Sequence, residues 1–290
     1  MLQNAPLDVL CARARRAEEL GFDTVWVADH FVNPYAPEAD WFDGPLLLAA
    51  FAAETSRIRL GTAVSSLSLR NPAVLAREAM TLDHISNGRF ELGLGAGGAP
   101  LDHSMTGIPA WSPAERSARF AEAAAIVRRL LGDGALDVDG AHYPIEGARV
   151  RPAPVQRPSL PLTIAALGPK ALRVAAEHAD RWNSYGVVAG RRIADSALSE
   201  DEALALAKER SRTFDGICEE IGRDPAEIGR SYLTFFGIRD PLPDPDGLLA
   251  FAERFAAAGI SEHILYWPSD AAGEAALTAL AERALPALRA

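Results

Sequence analysis

The chain has 290 residues, with 29 basic and 39 acidic side chains, so its formal net charge at pH 7 is −10. An acidic chain binds phosphate backbones and anionic membranes poorly, so we expect neither a nucleic-acid partner nor a membrane partner. No apolar run approaches the roughly 20 residues that cross a bilayer, and no secretion signal begins the chain, so we expect a cytoplasmic protein. Cys11 and Cys218 lack metal-binding spacing and are expected to be buried.

Strand and helix patterns alternate along the chain. Short apolar or β-branched runs predict strands, and apolar residues at helical spacing predict the helices between them. The predicted elements are helix 6–20, strand 22–28, helix 45–55, strand 58–64, helix 72–86, strand 90–94, helix 113–131, strand 162–166, helix 169–179, strand 181–185, helix 199–221, strand 231–237, helix 248–258, strand 262–267 and helix 273–289. Residues 99–111 are expected to form a loop, and the Pro- and Gly-rich residues 133–161 a small hairpin and an extended arm.

Seven strands that alternate with helices indicate parallel strands joined by right-handed crossovers. A series this long favours an α/β fold of the TIM (β/α)8 type over an open doubly wound sheet. We expect this barrel to form a single domain over residues 1–290. Such a barrel has eight strands, and no strand pattern precedes Pro6. The expectation is therefore a chain truncated at its first strand or a barrel that closes imperfectly.

The most informative stretch is 57–98, a strand–helix–strand unit. Asn71 and Pro72 are typical of a helix start, and Asn87-Gly88 of a helix end. Both strands end in small residues, at the carboxyl ends where parallel α/β folds carry their chemistry.

Asp29-His30 follows the first predicted strand at the same edge. An Asp beside a His can set the tautomer and basicity of the ring, although a His packed under a loop against a carbonyl is an equal alternative. His84 is expected on the barrel wall, and His103, after the glycine turn, is a weaker candidate for the site. The remaining histidines are expected to be structural: His142, His178 and His263.

The run Gly93-Leu94-Gly95-Ala96-Gly97-Gly98 formally matches the dinucleotide fingerprint G-x-G-x-x-G. That motif needs a helix that opens within the turn, and the next predicted helix begins only at Pro113. We therefore reject a dinucleotide site and infer only that the backbone passes close to something flat or bulky.

The turn Ala165 to Lys170 places small residues before a helix N-terminus, which favours an anion, although an ordinary strand-to-helix turn is an equal alternative. Three arginines also follow strand ends, and a cationic cluster there suits a phosphorylated or carboxylated ligand. They are Arg191, Arg192 and Arg239.

Four segments together resemble the luciferase-like monooxygenase superfamily, whose members are TIM barrels that use FMN or the deazaflavin coenzyme F420. The segments are ARRAEELGFDTVWVADHF, RIRLGTAVSSLSLRNPAVLAREAMTLDHISNGRFELGLGAG, RPAPVQRPSLPLTIAALGP and AAEHADRWNSYG. Asp29-His30-Phe31 resembles the F420-dependent branch. The resemblance implies that Asp29 and His30 lie beside the deazaflavin ring, with His30 as the acid or base.

The resemblance also implies a cis peptide bond between Ala63 and Val64, behind the ring. It implies a phosphate site at the turn Leu167-Gly168. The cofactor-binding residues expected on this basis are Ala63, Val64, Ser65, Gly95, Gly97, Gly98, Ala166, Leu167, Gly168 and Lys170.

Three features depart from the family pattern. The first family strand is absent, and Leu167-Gly168 stands where the family usually has Gly-Gly. Gly98 stands where the sugar-phosphate dehydrogenases of the family carry a Glu, so their substrate is not expected.

The sequence thus predicts an oxidoreductase that transfers a hydride between reduced F420 and a small organic substrate. An FMN-dependent, oxygen-using monooxygenase and a non-catalytic relative are the alternatives. A metal-dependent hydrolase is disfavoured because no His-x-His follows a strand, and no metal is expected. Dimers are usual in the family, so a homodimer is expected by analogy.

Overall fold

The computed structural model describes residues 3–132, 134–188, 198–234, 244–268 and 270–289. These residues form two compact units. The first unit comprises residues 3–18 and 23–165, and the second comprises residues 19–22 and 166–289. The assignment of the whole chain to a single domain stays a prediction.

The first unit contains parallel strands that alternate with helices. Its elements are α1 (Leu7–Glu19), β1 (Thr24–Asp29), α2 (Gly44–Glu54), β2 (Arg59–Ser66), α3 (Pro72–Ile85), β3 (Phe90–Gly95), α4 (Pro100–Thr106), α5 (Pro113–Leu130), β4 (Leu136–Val138), β5 (Ile145–Ala148) and β6 (Leu162–Ala165). β1 pairs with β2, β2 with β3, and β3 with β6, all in parallel. β4 and β5 form a separate antiparallel pair, which confirms the predicted hairpin.

The caps of α3 are those that the sequence predicts. The side-chain oxygen of Asn71 accepts hydrogen bonds from the backbone N–H groups of Ala73 and Val74, at 2.9 and 3.4 Å. After the helix, Asn87 and Gly88 adopt φ angles of 53° and 79°. Both residues tolerate this left-handed backbone, which ends the helix.

The prediction of a loop over 99–111 is wrong in part, because residues 100–106 form α4. The helix has Pro100 in its first turn, and Gly107 at its carboxyl end adopts φ 72°. A proline at the start and a glycine just past the end are ordinary helix signals. A helix of only 7 residues is too short to show a clear apolar periodicity, so these end signals alone did not predict it.

A single arginine joins the carboxyl ends of α2 and α3 in the first unit. Arg89 donates from Nε to the Ser86 carbonyl at 2.8 Å, from Nη1 to the Ile58 carbonyl at 2.7 Å, and from Nη2 to the Ala52 carbonyl at 3.0 Å. Further bonds reach both oxygens of Thr55. Because the last carbonyls of a helix have no partner within the helix, this side chain satisfies groups that burial would otherwise leave unpaired.

The second unit continues the alternation. Its elements are α6 (Pro169–His178), β7 (Arg181–Tyr185), α7 (Glu200–Ile221), β8 (Gly229–Leu233), α8 (Pro245–Ala256), β9 (Glu262–Ile264) and α9 (Ala271–Leu288), with a short 3-10 helix at Pro225–Glu227. β7 pairs with β8, and β8 with β9, in parallel. Ser199 and Glu202 form both halves of a capping box at the start of α7. β9 ends three residues earlier than predicted, and residues 235–237 of the predicted strand 231–237 lie outside the described part.

Both cysteines are buried and free, as predicted. Burial raises the pKa of each thiol, so both remain protonated and act as small apolar residues. Across the described residues, none of the helices combines the length and the apolar character that a membrane span requires.

Candidate active site

A histidine–carboxylate pair lies directly beyond the carboxyl end of β1. His30 Nδ1 is 2.9 Å from Asp102 Oδ2 on α4, and the other oxygen, Oδ1, accepts the backbone N–H of Phe31 at 2.9 Å. The side chain of Asp102 is 1% exposed and that of His30 is 32% exposed. Because a carboxylate only accepts hydrogen bonds, this contact places the proton of a neutral imidazole on Nδ1 and leaves the lone pair on Nε2.

The backbone around His30 is fixed as well. Trp41 Nε1 donates to the His30 carbonyl at 3.0 Å, so the loop that follows β1 is tied to its own first residue. Within the part of the chain that the structure describes, Nε2 of His30 has no hydrogen-bond partner. The ring is therefore held on one side and available on the other.

The predicted role of Asp29 as the partner of His30 is wrong. Asp29 binds Arg70 through both carboxylate oxygens, at 2.8 Å to Nε and 3.0 Å to Nη2. Arg70 also contacts Asp43, which caps α2, and Glu78 on α3. Successive residues of a strand point to opposite sides, so the neighbour of a histidine in sequence need not contact its ring.

Burial governs the titration of two acidic residues beside Arg70, Asp29 and Glu78. Desolvation raises the pKa of Asp29 against the opposing contacts with Arg70, and it also raises the pKa of Glu78. Burial alone would lower the pKa of Arg70, but its contacts with Asp29 and Asp43 raise it instead. The arginine thus stays charged and joins the end of β1 to α2 and α3.

The glycines within β3 and in the turn after it meet requirements of packing and backbone conformation within the protein. A Cβ on Gly93 would lie 1.8 Å from the Thr62 carbonyl oxygen, and one on Gly95 would lie 2.3 Å from Val64 Cγ2. Gly97 and Gly98 have φ angles of 73° and 112°. The missing side chain of Gly95 thus makes room for Val64 of β2, and the cofactor-binding roles of Gly95, Gly97 and Gly98 stay predictions.

Gly98 has a neighbour that sequence reasoning missed. A Cβ at this position would lie 2.4 Å from Nη1 of Arg116, on α5. A glutamate at position 98 would have to displace that guanidinium. The space beside Gly98 is thus filled by a cation rather than by a carboxylate.

The cis peptide bond between Ala63 and Val64 is present, as the resemblance implies. These two residues are half-buried, while Thr62 before them and Ser65 after them are buried. Ser65 pairs in register with Asp29 of β1, so this half-exposed apolar pair lies on the strand next to the one that leads into His30. Nothing in the contacts assigns a ligand to Ala63, Val64 or Ser65, which stay predictions.

The turn predicted to bind phosphate lies in the second unit. Gly168 caps α6 without a side-chain hydrogen bond, and Lys170 is exposed. Ala166 is fixed because its carbonyl accepts a bond from Trp182 Nε1 at 2.9 Å and its N–H donates to Asn183 at 3.1 Å. The turn has the form of an anion site, and the roles of Ala166, Leu167, Gly168 and Lys170 stay predictions.

The other candidate residues divide into three groups. His103 is buried beside Trp111, with ring centroids 5.2 Å apart, and its Nδ1 has no hydrogen-bond partner among the described residues. His84 contacts the Ala153 carbonyl at 2.8 Å, and burial lowers the pKa of His263 to about 4. Three arginines lie outside the described residues: Arg191, Arg192 and Arg239.

Asp102 is the functional candidate that the sequence did not reveal. It lies in the segment expected to be a loop, 72 residues from His30. The available signal was an acidic residue in the first turn of a short helix that begins at Pro100. Among the described residues, no cluster of three or more His, Cys, Asp or Glu side chains is arranged to hold a metal ion.

Parallel strands that alternate with helices, together with polar side chains beyond the end of β1, define a protein of the α/β-barrel class. The sequence profile of the luciferase-like monooxygenase family matches residues 1–241, and the chain belongs to that family. The resemblance drawn from the sequence segments is therefore confirmed.

Three relatives are similar to this chain at 30% identity or more. It is 35% identical to 4-hydroxyprotoasukamycin monooxygenase from Streptomyces nodosus subsp. asukaensis, over 68% of this chain and 53% of that protein. It is 34% identical to an F420-dependent glucose-6-phosphate dehydrogenase from Amycolatopsis mediterranei, over 79% of this chain and 66% of that protein. A protein of the same name from Beutenbergia cavernae is 30% identical, over 99% of this chain and 95% of that protein. The chain thus matches about half to two thirds of the length of the first two relatives.

Solved structures confirm the predicted TIM-barrel type of fold. An F420-dependent secondary alcohol dehydrogenase in complex with an F420–acetone adduct has a TM-score of 0.81 at 22% identity, covering 99% of this chain and 97% of that chain. The F420-dependent tetrahydromethanopterin reductase from Methanopyrus kandleri has a TM-score of 0.80 at 18% identity, with the same coverage. At these identities the likeness concerns the fold alone.

Proposed function

We propose that this protein is an oxidoreductase that transfers a hydride between reduced coenzyme F420 and a small organic substrate. Two relatives at 30% and 34% identity are named for F420-dependent dehydrogenation, which supports the cofactor class. The observation that carries the proposal is the 2.9 Å contact between His30 Nδ1 and Asp102 Oδ2, because it prepares one ring nitrogen for proton transfer.

His30 has the features of a general acid or base. A hydride transfer to a carbonyl-type substrate needs a proton, and the reverse reaction releases one. Nε2 can accept or return that proton while Asp102 holds the ring through Nδ1 and stabilises the imidazolium. The buried carboxylate touches neither substrate nor cofactor in this scheme, so we regard Asp102 as a positioning residue.

The end of β2 offers an apolar surface that fits a flat, largely apolar ring. Ala63 and Val64 lie on β2 and are half-exposed. Ser65, the next residue of β2, pairs with Asp29 of β1, which directly precedes His30. An apolar surface therefore lies on β2, the strand beside β1, which leads into His30. When bound, F420 supplies the carbon that gives or takes the hydride, while the protein supplies orientation and the proton path.

The proposed cofactor contacts combine this surface with the turn after β3. On the first unit they are Ala63, Val64, Ser65, Gly95, Gly97 and Gly98. On the second unit we propose that the α6 N-terminus, with Ala166, Leu167, Gly168 and Lys170, binds a phosphate, because its first N–H groups have no side-chain cap.

The substrate is expected to differ from that of the sugar-phosphate dehydrogenases among the relatives. A glutamate side chain at position 98 would meet Arg116, and the φ angle of 112° at Gly98 disfavours any side chain there. The glutamate expected in those enzymes is thus missing at position 98, so we propose a small organic substrate other than a sugar phosphate. By analogy with the family we also propose a homodimer in the cytoplasm.

An FMN-dependent, oxygen-using monooxygenase is the second candidate. It is favoured by the relative named 4-hydroxyprotoasukamycin monooxygenase, at 35% identity. This candidate has the same fold but binds FMN instead of F420 and uses oxygen.

Fluorescence and absorbance titration of the full chain with F420 and with FMN tests the proposal. We expect F420 to bind at least about tenfold more tightly than FMN, a difference of about 1.4 kcal/mol. Tight FMN binding without F420 binding would overturn the proposal in favour of the monooxygenase. Failure of both cofactors to bind would favour a non-catalytic relative.

A further inference from the structure

The second unit contains a groove at the amino-terminal end of β8. Its volume is about 800 Å³, and it lies between α7, the 3-10 helix with the start of β8, and the end of α8. Gly229, the first residue of β8, is part of its wall. Parallel α/β folds carry their chemistry at the opposite, carboxyl ends of the strands, so this groove is separate from the predicted reaction edge.

Three cationic side chains line the groove. Lys208 and Arg212 lie one turn apart on α7, on the same face of the helix, and Arg230 extends from the start of β8. Asp215 is the acidic residue among the lining residues, and it pairs with Arg230. Lys208 and Arg212 have no carboxylate within ion-pair distance in the part of the chain that the structure describes. The groove therefore carries an excess of positive charge in a chain whose overall charge is −10.

The position of Arg230 is fixed by its surroundings. Its guanidinium carbon lies 5.5 Å from the centre of the Phe214 ring and 6.0 Å from that of Trp182, and its side chain is 12% exposed. A cation that is stacked on aromatic rings loses little further freedom when it binds a ligand. Arg230 thus forms the buried side of the groove, and Lys208 and Arg212 form its more exposed side.

The uncharged hydrogen-bond donors of the groove are already used. Ser211 Oγ donates to the Ala258 carbonyl at 2.6 Å, and Ser261 N donates to the Arg230 carbonyl at 3.1 Å. Gly229 N donates to the Asp180 carbonyl at 3.0 Å. A ligand would therefore be recognised by the cationic side chains, which select for negative charge rather than for a particular pattern of donors.

We propose that this groove is a binding site for a small oxyanion with two or more negative charges. A site of about 800 Å³ admits a molecule of metabolite size. Lys208, Arg212 and Arg230 supply the charges that hold its phosphate or carboxylate groups. The inference does not depend on the proposed oxidoreductase activity.

Isothermal titration calorimetry of the full chain with pyrophosphate and, separately, with citrate tests this site. The buffer should contain about 0.1 M NaCl, since exposed charges more than about 10 Å apart are then screened. The double variant Lys208→Gln/Arg212→Gln removes the unpaired cations from the exposed side of the groove. Arg57→Gln/Arg77→Gln removes the same charge from exposed positions of the first unit and serves as the matched control.

We expect the wild type and the control to bind pyrophosphate with the same affinity and the groove variant to bind at least about tenfold more weakly. Citrate binding that is lost in the same variant would extend the site to carboxylates, and binding of pyrophosphate alone would restrict it to phosphates. The proposal is overturned if neither anion binds, if the groove variant retains full affinity, or if the control loses affinity equally. Thermal unfolding of each variant checks that the fold is kept.

Discussion

His30 and Asp102 are 72 residues apart in the sequence, yet Nδ1 of the imidazole lies 2.9 Å from Oδ2 of the carboxylate. The contact joins the segment after β1 to α4, and the second oxygen of Asp102 binds the N–H of Phe31. One buried carboxylate therefore fixes both the ring and the backbone of the proposed general acid or base.

The variant Asp102→Asn tests this arrangement. The amide oxygen of Asn can still accept the N–H of Phe31, but its NH₂ group would face Nδ1 and favour the opposite tautomer of His30. We expect kcat with F420 to fall by about 10²-fold while the Kd for F420 changes little. Steady-state kinetics with a fluorescence titration checks both values, and an unchanged kcat would show that Asp102 does not position the ring.

The Asp29–Arg70 contact is expected to act on stability. Arg70→Met leaves Asp29 buried without its partner, so we expect the free energy of unfolding to fall by about 3–5 kcal/mol. Adding Asp29→Asn to this variant should restore part of the loss, since the uncompensated charge is then removed. Urea denaturation of the two single variants and the double variant measures the coupling, and strictly additive effects would contradict it.

The pH dependence of stability should contain a contribution from His263. Burial lowers the pKa of His263 to about 4, against an ordinary value of 6.5. Between these values the unfolded chain binds a proton that the folded chain does not, so stability falls as the pH drops from 6.5 to 4. The difference of pKa corresponds to an upper limit of about 3 kcal/mol.

Urea denaturation between pH 7 and pH 4 of the wild type and of His263→Asn tests this contribution. The variant should lose less stability over this range, because it has no imidazole to protonate. Parallel curves for the two proteins would show that His263 does not titrate abnormally.

Two glycine-to-alanine variants form a matched pair. A Cβ on Gly93 would lie 1.8 Å from the Thr62 carbonyl oxygen, whereas a Cβ on Gly216 of α7 would have no described atom within 4 Å apart from its chain neighbours and the adjacent helix backbone. We expect Gly93→Ala to prevent stable folding and Gly216→Ala to stabilise the protein by about 0.5–1 kcal/mol, as alanine does within a helix. Thermal unfolding monitored by circular dichroism compares them, and a Gly93→Ala protein as stable as the wild type would contradict the packing.

The elements were predictable from the sequence because their signals are local. Asn71-Pro72 and Asn87-Gly88 mark the two ends of α3, and alternating helices and strands predict the parallel sheet. The short helix α4 was missed, since seven residues between a proline and a glycine give little periodicity.

The site was less predictable because it depends on contacts between distant residues. Asp29 stands beside His30 in the sequence, but its carboxylate binds Arg70, and the partner of His30 is Asp102. The spacing around Gly98 could not be inferred either, since the guanidinium that fills it comes from Arg116 on another element. Sequence patterns predicted which strand end carries the histidine, and only the folded chain shows which acid holds it.

Which ring nitrogen of His30 carries the proton tests the proposed proton transfer. ¹⁵N NMR of histidine-labelled protein, with His30→Gln to assign the signals, reports which ring nitrogen carries the proton, with and without F420. We expect a proton on Nδ1 and a bare Nε2 whose resonance changes when F420 is added. A proton on Nε2 with a bare Nδ1, or an Nε2 signal that F420 leaves unchanged, would contradict the proposed proton transfer by His30.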